Sequence, residues 1–399
     1  MKIITCLRGG ALALVCAIVF ASASSQADGL DHALGKALFD RIWTSAPAVT
    51  KATDGLGPLF NARSCAACHP GNGRGTFGED ENRRITGTGL LLRVGDETGT
   101  PDPVYGEQLQ TLAVQGLKAE GYVVRTEGGS LKAEGLNYGK PAPTTRMSGR
   151  LAPDLRGLGL LQQIPDQVIL AMADEDDANQ DGISGRANYS YNAEGETVLS
   201  RFGWKAGKST IAMQSAAALN NDIGLSNPIY GKHEGDCTEH QPLCLSAPHG
   251  GDPSFEYLEI DTQMLDLIVS FVTNLKPPKP HKDAQGLALF TDTGCAACHV
   301  PSYTLENGRK IAPFTNLLLH DMGDALADGI GDAEATGREW RTPPLWGLKR
   351  AERFLHDGRA TTLREAIEFH GGEAQRARAA FRTLAAEDQD KLIRFLSNL

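Results

Sequence analysis

In LREAIEF, residues 363–369, apolar side chains recur at helical spacing, with Leu363, Ile367 and Phe369 turned inward. Gly371 and Gly372 predict that the helix stops just after His370. LRGLGLLQQIPDQVILAMAD, 155–174, also reads as helix, with a break at Pro165. LLLRV (90–94) and GYVVRT (121–126) have the apolar and β-branched content of strands and predict a small sheet. NLKPPKPHKDAQG, 274–286, is rich in proline and lysine and reads as a linker. The expected fold is mainly α, with one unit over 28–275, enlarged by the β insertion, and a second over 281–399.

The first 27 residues have the layout of a secretory signal. Lys2 and Arg8 precede an apolar run to about Phe20, small residues follow, and Ala23 and Ala27 both fit as the last residue before cleavage. Bulky Val15 before Cys16 argues against a lipoprotein site. No later stretch is long and apolar enough to span a bilayer, so a soluble, periplasmic protein without a transmembrane anchor is expected. The 399 residues, 41% of them apolar, suffice for two domains with real cores. Removing the signal takes away two basic and no acidic residues, so the net charge moves from −10 to −12. That balance disfavours nucleic acid and anionic membrane surfaces, and suits a basic protein partner.

Cysteine usage changes the picture more. In an oxidising compartment Cys237 and Cys244, flanking a short polar loop, form a local disulfide. Four others form two pairs, in SCAACH (64–69) and GCAACH (294–299). A zinc site or redox dithiol would need only the cysteines. Histidine directly after each pair gives the c-type haem attachment pattern, in which both sulfurs bond the haem and the histidine meets the iron. Two covalently bound haems c are expected, through Cys65, Cys68 and His69, and through Cys295, Cys298 and His299. An apolar helical segment, GKALF or GLALF, leads toward each motif, as in small cytochromes c.

RFGWKAGKSTIAMQSAAA, 201–218, aligns without a gap on RFLHDGRATTLREAIEFH, 353–370, at an offset of 152. The identities are few, and chance similarity is the alternative to an internal repeat. As a repeat, it sets Ala218 against His370. His370 is then the sixth iron ligand of the second haem, and Ala218 leaves the first haem with an open side. His320 and Met322 in LLLHDMG are rival ligands.

DGLGPLFNARSCAACHPGNGRG, RLAPDLRGLGLLQQIPD, DGISGRANY, RFGWKAG, LLLHDMGDALADG and RTPPLWGLKRAERFLHDGRATTLREAIEFHGGEA together resemble the bacterial di-haem oxidoreductase family, whose members are labelled peroxidases or thiol oxidoreductases. More distantly the chain is similar to di-haem cytochrome c peroxidases and to the methylamine-utilisation di-haem enzyme. The resemblance implies two cytochrome c-like haem domains. It also implies a bridging tryptophan at Trp204, a catalytic-side glutamine at Gln214, and Ala218 facing the open iron. Two departures matter. Gly224 stands where the peroxidases have a catalytic glutamate, leaving Asp222 as the nearest acid. Histidine also replaces methionine or tyrosine at the second iron, which should lower its potential relative to methionine ligation.

Asp177, Asn179, Asp181 and Gly182 fit either the start of a calcium loop or an Asx-rich turn, and Asn188 stands where an EF-hand has glutamate. Related di-haem peroxidases hold a calcium between domains. His356 and Asp357 are expected to brace the second haem pocket through hydrogen bonds, and Arg341 and Arg359 to meet haem propionates. His233, His240 and His249 surround the disulfide loop, as a metal site or as a solvated loop. The leading expectation is a peroxidase that binds hydrogen peroxide or another small oxidant at the His69 iron. Gln214 and Asp222 would assist, Trp204 would bridge the haems, and a small cytochrome or other redox protein would donate electrons. The alternatives are an electron-transfer cytochrome with both irons saturated and an accessory redox protein working with iron-uptake proteins.

Overall fold

The computed structural model describes residues 29–279 and 282–399. The signal reading of 1–27 lies outside the described residues. Two helix crossings, one on each side of the 274–286 stretch, frame the chain. The helix over 29–40 meets Thr262–Thr273 at Gly35, where a β-carbon would come within 2.2 Å of the Leu267 carbonyl oxygen. Phe39 packs on Phe271 there, ring centroids 5.3 Å apart. Ala284–Asp292 meets Ala386–Leu396 in the same way: a β-carbon on Gly286 would lie 2.4 Å from Phe395 Cβ, and Phe290 packs 5.8 Å from the Phe395 ring. Phe39 and Phe290 are almost wholly buried, each contributing about 1.5–3 kcal/mol of hydrophobic stabilisation.

The internal repeat is visible as structure. Thr210 and Thr362 both cap helices, their hydroxyls accepting from Met213 N and Glu365 N at 3.1 Å. Before each cap, Phe202 bridges Lys208 and Phe354 bridges Ala360, and φ is positive at the matched pairs Gly203/Leu355 and Ala206/Gly358. The helices then diverge. Ile211–Ile223 runs 13 residues, whereas Leu363–Glu368 has six and stops two residues earlier than the glycines suggest. His370 N bonds the Ile367 carbonyl at 3.0 Å, a three-residue spacing that tightens the final turn.

The β content differs from expectation. Leu90–Gly95 pairs antiparallel with Arg146–Leu151, and Tyr122–Arg125 with Leu131–Glu134, so the two expected strands belong to separate two-stranded sheets. Their partners carry the polar runs RMSGRL and LKAE, which show little strand pattern. Pro165 does break the 155–174 stretch, into Leu158–Gln162 and Asp166–Leu170. Helix exceeds strand among the described residues, but much of the chain is neither, more than a mainly α reading conveys. Two buried cores draw on both sides of 274–286: Leu92, Leu151 and Trp204 pack with Leu326 and Trp340, and Leu161 and Leu199 with Leu317 and Trp346.

One contact fixes the helix that matters most below. Gly224 ends Ile211–Ile223 at φ 76°, and its Cα lies against Gly57, where a β-carbon on either residue would come within 2.5 Å of the other. Gly57 N bonds the Ile223 carbonyl at 3.0 Å, and Asn61 N bonds that of Asp222 at 2.8 Å. Gly224→Ala combines left-handed strain with a backbone clash and should destabilise the protein by about 2 kcal/mol or more. A lowered urea midpoint in circular dichroism checks this; an unchanged midpoint would mean the helix end is not clamped there.

Candidate functional site

Each Cys-x-x-Cys-His segment opens on its own cavity. Ser64 caps Cys65–Cys68, its hydroxyl accepting from Ala67 N at 3.2 Å, and His69 N bonds the Cys65 carbonyl at 3.0 Å. In the second motif Gly294 turns the chain at φ 82°, and His299 N again bonds the carbonyl four residues back, on Cys295, at 3.0 Å. The first motif borders a cavity of about 240 Å³, the second one of about 440 Å³. The four thiols therefore do not converge on one zinc. Burial pushes Cys65 and Cys68 up to about 12.

The three histidines expected at iron share one arrangement. Nδ1 lies 3.3 Å from the Gly73 carbonyl in His69, 2.9 Å from that of Phe314 in His299, and 2.7 Å from that of Ala366 in His370. A carbonyl only accepts, so Nδ1 carries the proton and Nε2 keeps its lone pair, the tautomer that ligates metal. Burial lowers all three pKa values, that of His299 to about 4, so the rings stay neutral. His299 and His370 line the same, larger cavity.

The rivals sit there too but differ in kind. His320 has Nδ1 2.6 Å from a Glu373 oxygen and Nε2 3.0 Å from the Asn316 amide, so both ring nitrogens are engaged. Burial alone would lower its pKa, but contacts with Cys298 and Glu373 carry it up to about 9. Met322 is a half-buried thioether on the same wall.

Arg74, Trp204, Arg341 and Pro343 border both cavities. Trp204 donates from Nε1 to the Leu151 carbonyl at 2.8 Å, and its own carbonyl accepts from Arg341 N at 2.9 Å. The Arg341 guanidinium is buried and, among the described residues, bonds only backbone carbonyls, Gly203 at 2.8 Å and Thr342 at 3.1 Å; burial pulls its pKa down to about 10. Arg74 has no carboxylate partner among the described residues, and its guanidinium stands 5.8 Å from the Trp204 ring. Arg359, by contrast, is already paired with Asp357 at 2.7 Å. His356 makes no side-chain hydrogen bond among the described residues, contrary to the bracing expected of it. It stacks on Trp340 with centroids 3.7 Å apart and planes 12° apart.

Gln214, Ala218 and Asp222 are spaced four apart on Ile211–Ile223, so one helix face brings them to the His69 cavity. Asp222 Oδ1 accepts from Gln108 Nε2 at 2.9 Å, and burial nonetheless raises its pKa to about 6. Gly224 cannot carry an acid into this cavity, because its α-carbon is against Gly57. Glu107, absent from the sequence reading, lines the wall instead, bonded to Arg93 at 2.9 Å and Asn221 at 3.2 Å. Trp340, Arg74 and Glu373 were likewise not visible beforehand, since no local motif marks them.

Elsewhere, Cys237 and Cys244 form the expected disulfide. In the 177–188 loop, Asp177 accepts from Gly182 N at 3.1 Å, Asn179 from Asp181 N at 2.8 Å and Asp181 from Ile183 N at 2.8 Å. Those oxygens serve an Asx turn, and Asn188 Nδ2 turns away to the Lys205 carbonyl at 2.7 Å.

No helix among the described residues is long and apolar enough to cross a membrane. No curated protein matches the chain. Among solved structures it is similar to the diheme peroxidase BthA of Burkholderia thailandensis E264, at 16% identity and a TM-score of 0.41, covering 93% of this chain and 86% of that one. A variant of that peroxidase gives 16% and 0.39, over 92% and 85%. Hydrazine synthase of Kuenenia stuttgartiensis gives 17% and 0.25, over 46% of this chain and 70% of that one. All three superpositions are loose. Residues 16–97 and 137–399 match the family described as "Di-haem oxidoreductase, putative peroxidase". The match spans most of the sequence and both Cys-x-x-Cys-His motifs, and the chain belongs to this family of di-haem oxidoreductases.

Proposed function

We propose that this protein is a periplasmic di-haem c peroxidase with two cytochrome c-like domains, 28–275 and 281–399. Cys65 and Cys68 would hold one haem and Cys295 and Cys298 the other, with His69 and His299 as proximal ligands. The fit rests on the chain's own features: two cavities bordered by the motifs, imidazoles bonded through Nδ1 to backbone carbonyls, and a buried Arg341 guanidinium without a carboxylate partner among the described residues. The observation that carries the reading is the asymmetry of the repeat. His370 shares a cavity with His299, whereas Ala218 occupies the matching place beside His69. The haems, when bound, would supply the redox couples, and the one held beside Ala218 would be the one that takes peroxide.

The protein's part is positional and protonic. The methyl group of Ala218 leaves room for a small oxidant, and Gln214 presents an amide to it. Asp222, whose pKa burial raises to about 6, can accept a proton from peroxide and give one back. Gln108 fixes that carboxyl, and the Glu107–Arg93 pair borders the same space. Arg341 and Arg74 offer bidentate donors to propionates at the shared wall. Trp204 provides the aromatic group between the two sites. A small basic redox protein is the expected donor to this acidic chain.

Three measurements test the reading. Electron paramagnetic resonance of the oxidised, haem-loaded protein should show one high-spin and one low-spin ferric haem, with cyanide removing the high-spin signal. Two low-spin signals indifferent to cyanide would favour a plain electron-transfer cytochrome. Ala218→His should abolish peroxide turnover and convert the high-spin signal to low-spin; full activity in this variant would place the open site elsewhere. Asp222 gains its charge only as pH rises through about 6, so kcat/KM should fall about tenfold per unit below that value if it is the base. Asp222→Asn should flatten this limb, and an unaltered profile would remove Asp222 from the proton path.

A further inference from the structure

Away from both cavities, the segment after the Gln214 helix builds a second cluster. His233 Nδ1 lies 2.9 and 3.0 Å from the two carboxylate oxygens of Glu259, and the His249 ring stacks on that of His233 with centroids 4.0 Å apart. One donor atom from each of His233, His249 and Glu259 lies within 4.8 Å of the others, the one such grouping among the described residues. His240 is exposed and takes no part. None of the three residues borders a haem cavity.

The surroundings look built for it. Glu259 is buried and held by Ser226 N at 2.9 Å, by the Ser226 hydroxyl and by Gly250 N at 2.9 Å, so its carboxylate is fixed before any ligand arrives. Gly251 is needed at the rim, since a β-carbon there would lie 2.7 Å from His233 Cε1 and 3.1 Å from His249 Nδ1. Beside Gly250 stands Asp54, 5% exposed, whose Oδ1 has no hydrogen-bond partner among the described residues; a β-carbon on Gly250 would lie 3.0 Å from it. A buried carboxylate oxygen left without a donor is costly. A cation or its bound water beside it would remove that cost.

We propose that His233, His249 and Glu259 bind a divalent transition-metal cation of the zinc type, separate from haem iron. Two imidazoles and a carboxylate are donors suited to zinc, at bond lengths of about 2.0–2.2 Å, with a position left for water. Metal on His233 Nδ1 takes the place of the hydrogen bond to Glu259, and the neutral imidazole carries its proton on Nε2 instead. His249, being exposed, closes the set by a side-chain rotation. The metal clasps the return loop. Ser226, two residues beyond the Gly224 cap, is bonded to Glu259, and Asp236 in the same loop accepts from Gln108 N at 3.1 Å, the residue that holds Asp222.

The test is equilibrium dialysis of haem-loaded, chelator-treated protein against zinc sulfate, with zinc and iron counted separately. One zinc per chain is expected in the wild type and in His240→Ala, with affinity at least tenfold weaker in His249→Ala and His233→Ala. Zinc should raise the melting temperature of the wild type and not that of His249→Ala. Because His249 is exposed, that variant keeps its fold even where His233→Ala does not. Absence of stoichiometric zinc, or uptake that His249→Ala leaves unchanged, overturns the site. The iron count reports separately on the haem reading.

Discussion

A guanidinium buried without a counter-ion costs several kcal/mol, and Arg341 is such a group, set in the wall between two cavities. The fold tolerates it because backbone carbonyls of Gly203 and Thr342 take part of its donor capacity. The rest of the centre is arranged around the same strip of chain. Arg341 N holds the Trp204 carbonyl, and Trp204 faces both cavities from the first repeat. Arg74 adds a second unpaired cation beside that ring. Anionic groups on a bound cofactor would resolve both costs at once, so this wall is organised for occupants that carry negative charge.

The repeat shows how one local design yields two different pockets. Turn, bridge and threonine cap are shared, down to the positions with positive φ. What differs is how far the following helix runs and what it carries. Thirteen residues bring Gln214, Ala218 and Asp222 to a cavity wall, whereas six residues and a tightened turn present His370. Under the same offset Trp204 corresponds to His356, so the indole between the cavities is matched by an imidazole.

Features encoded within a few residues were legible beforehand: the two Cys-x-x-Cys-His turns, the Pro165 break, the disulfide and the correspondence of 201–218 with 353–370, though not its threonine caps. Features made by distant segments were not. Strand Leu90–Gly95 finds its partner some fifty residues on, in a polar run without an alternating signal. Glu107 and Gln108 reach the Asp222 cavity from an unremarkable stretch, GEQLQ, and Glu373 engages His320 from 53 residues away. The absence of an acid at Gly224 was readable, but its cause, a backbone contact with Gly57, lies in the fold.

Trp340 and Trp204 share a core, yet their electrostatic surroundings differ. The Trp340 ring has Lys205 at 4.2 Å and Arg150 at 4.7 Å, two cations that share the Asp328 carboxylate. Withdrawing an electron from that indole would create another positive charge among them, at a cost of about 4 kcal/mol for a unit charge 4 Å away in a medium of effective dielectric 20. Trp204 has a single guanidinium at the longer distance of 5.8 Å. The cations around Trp340 thus make that indole the harder of the two to oxidise.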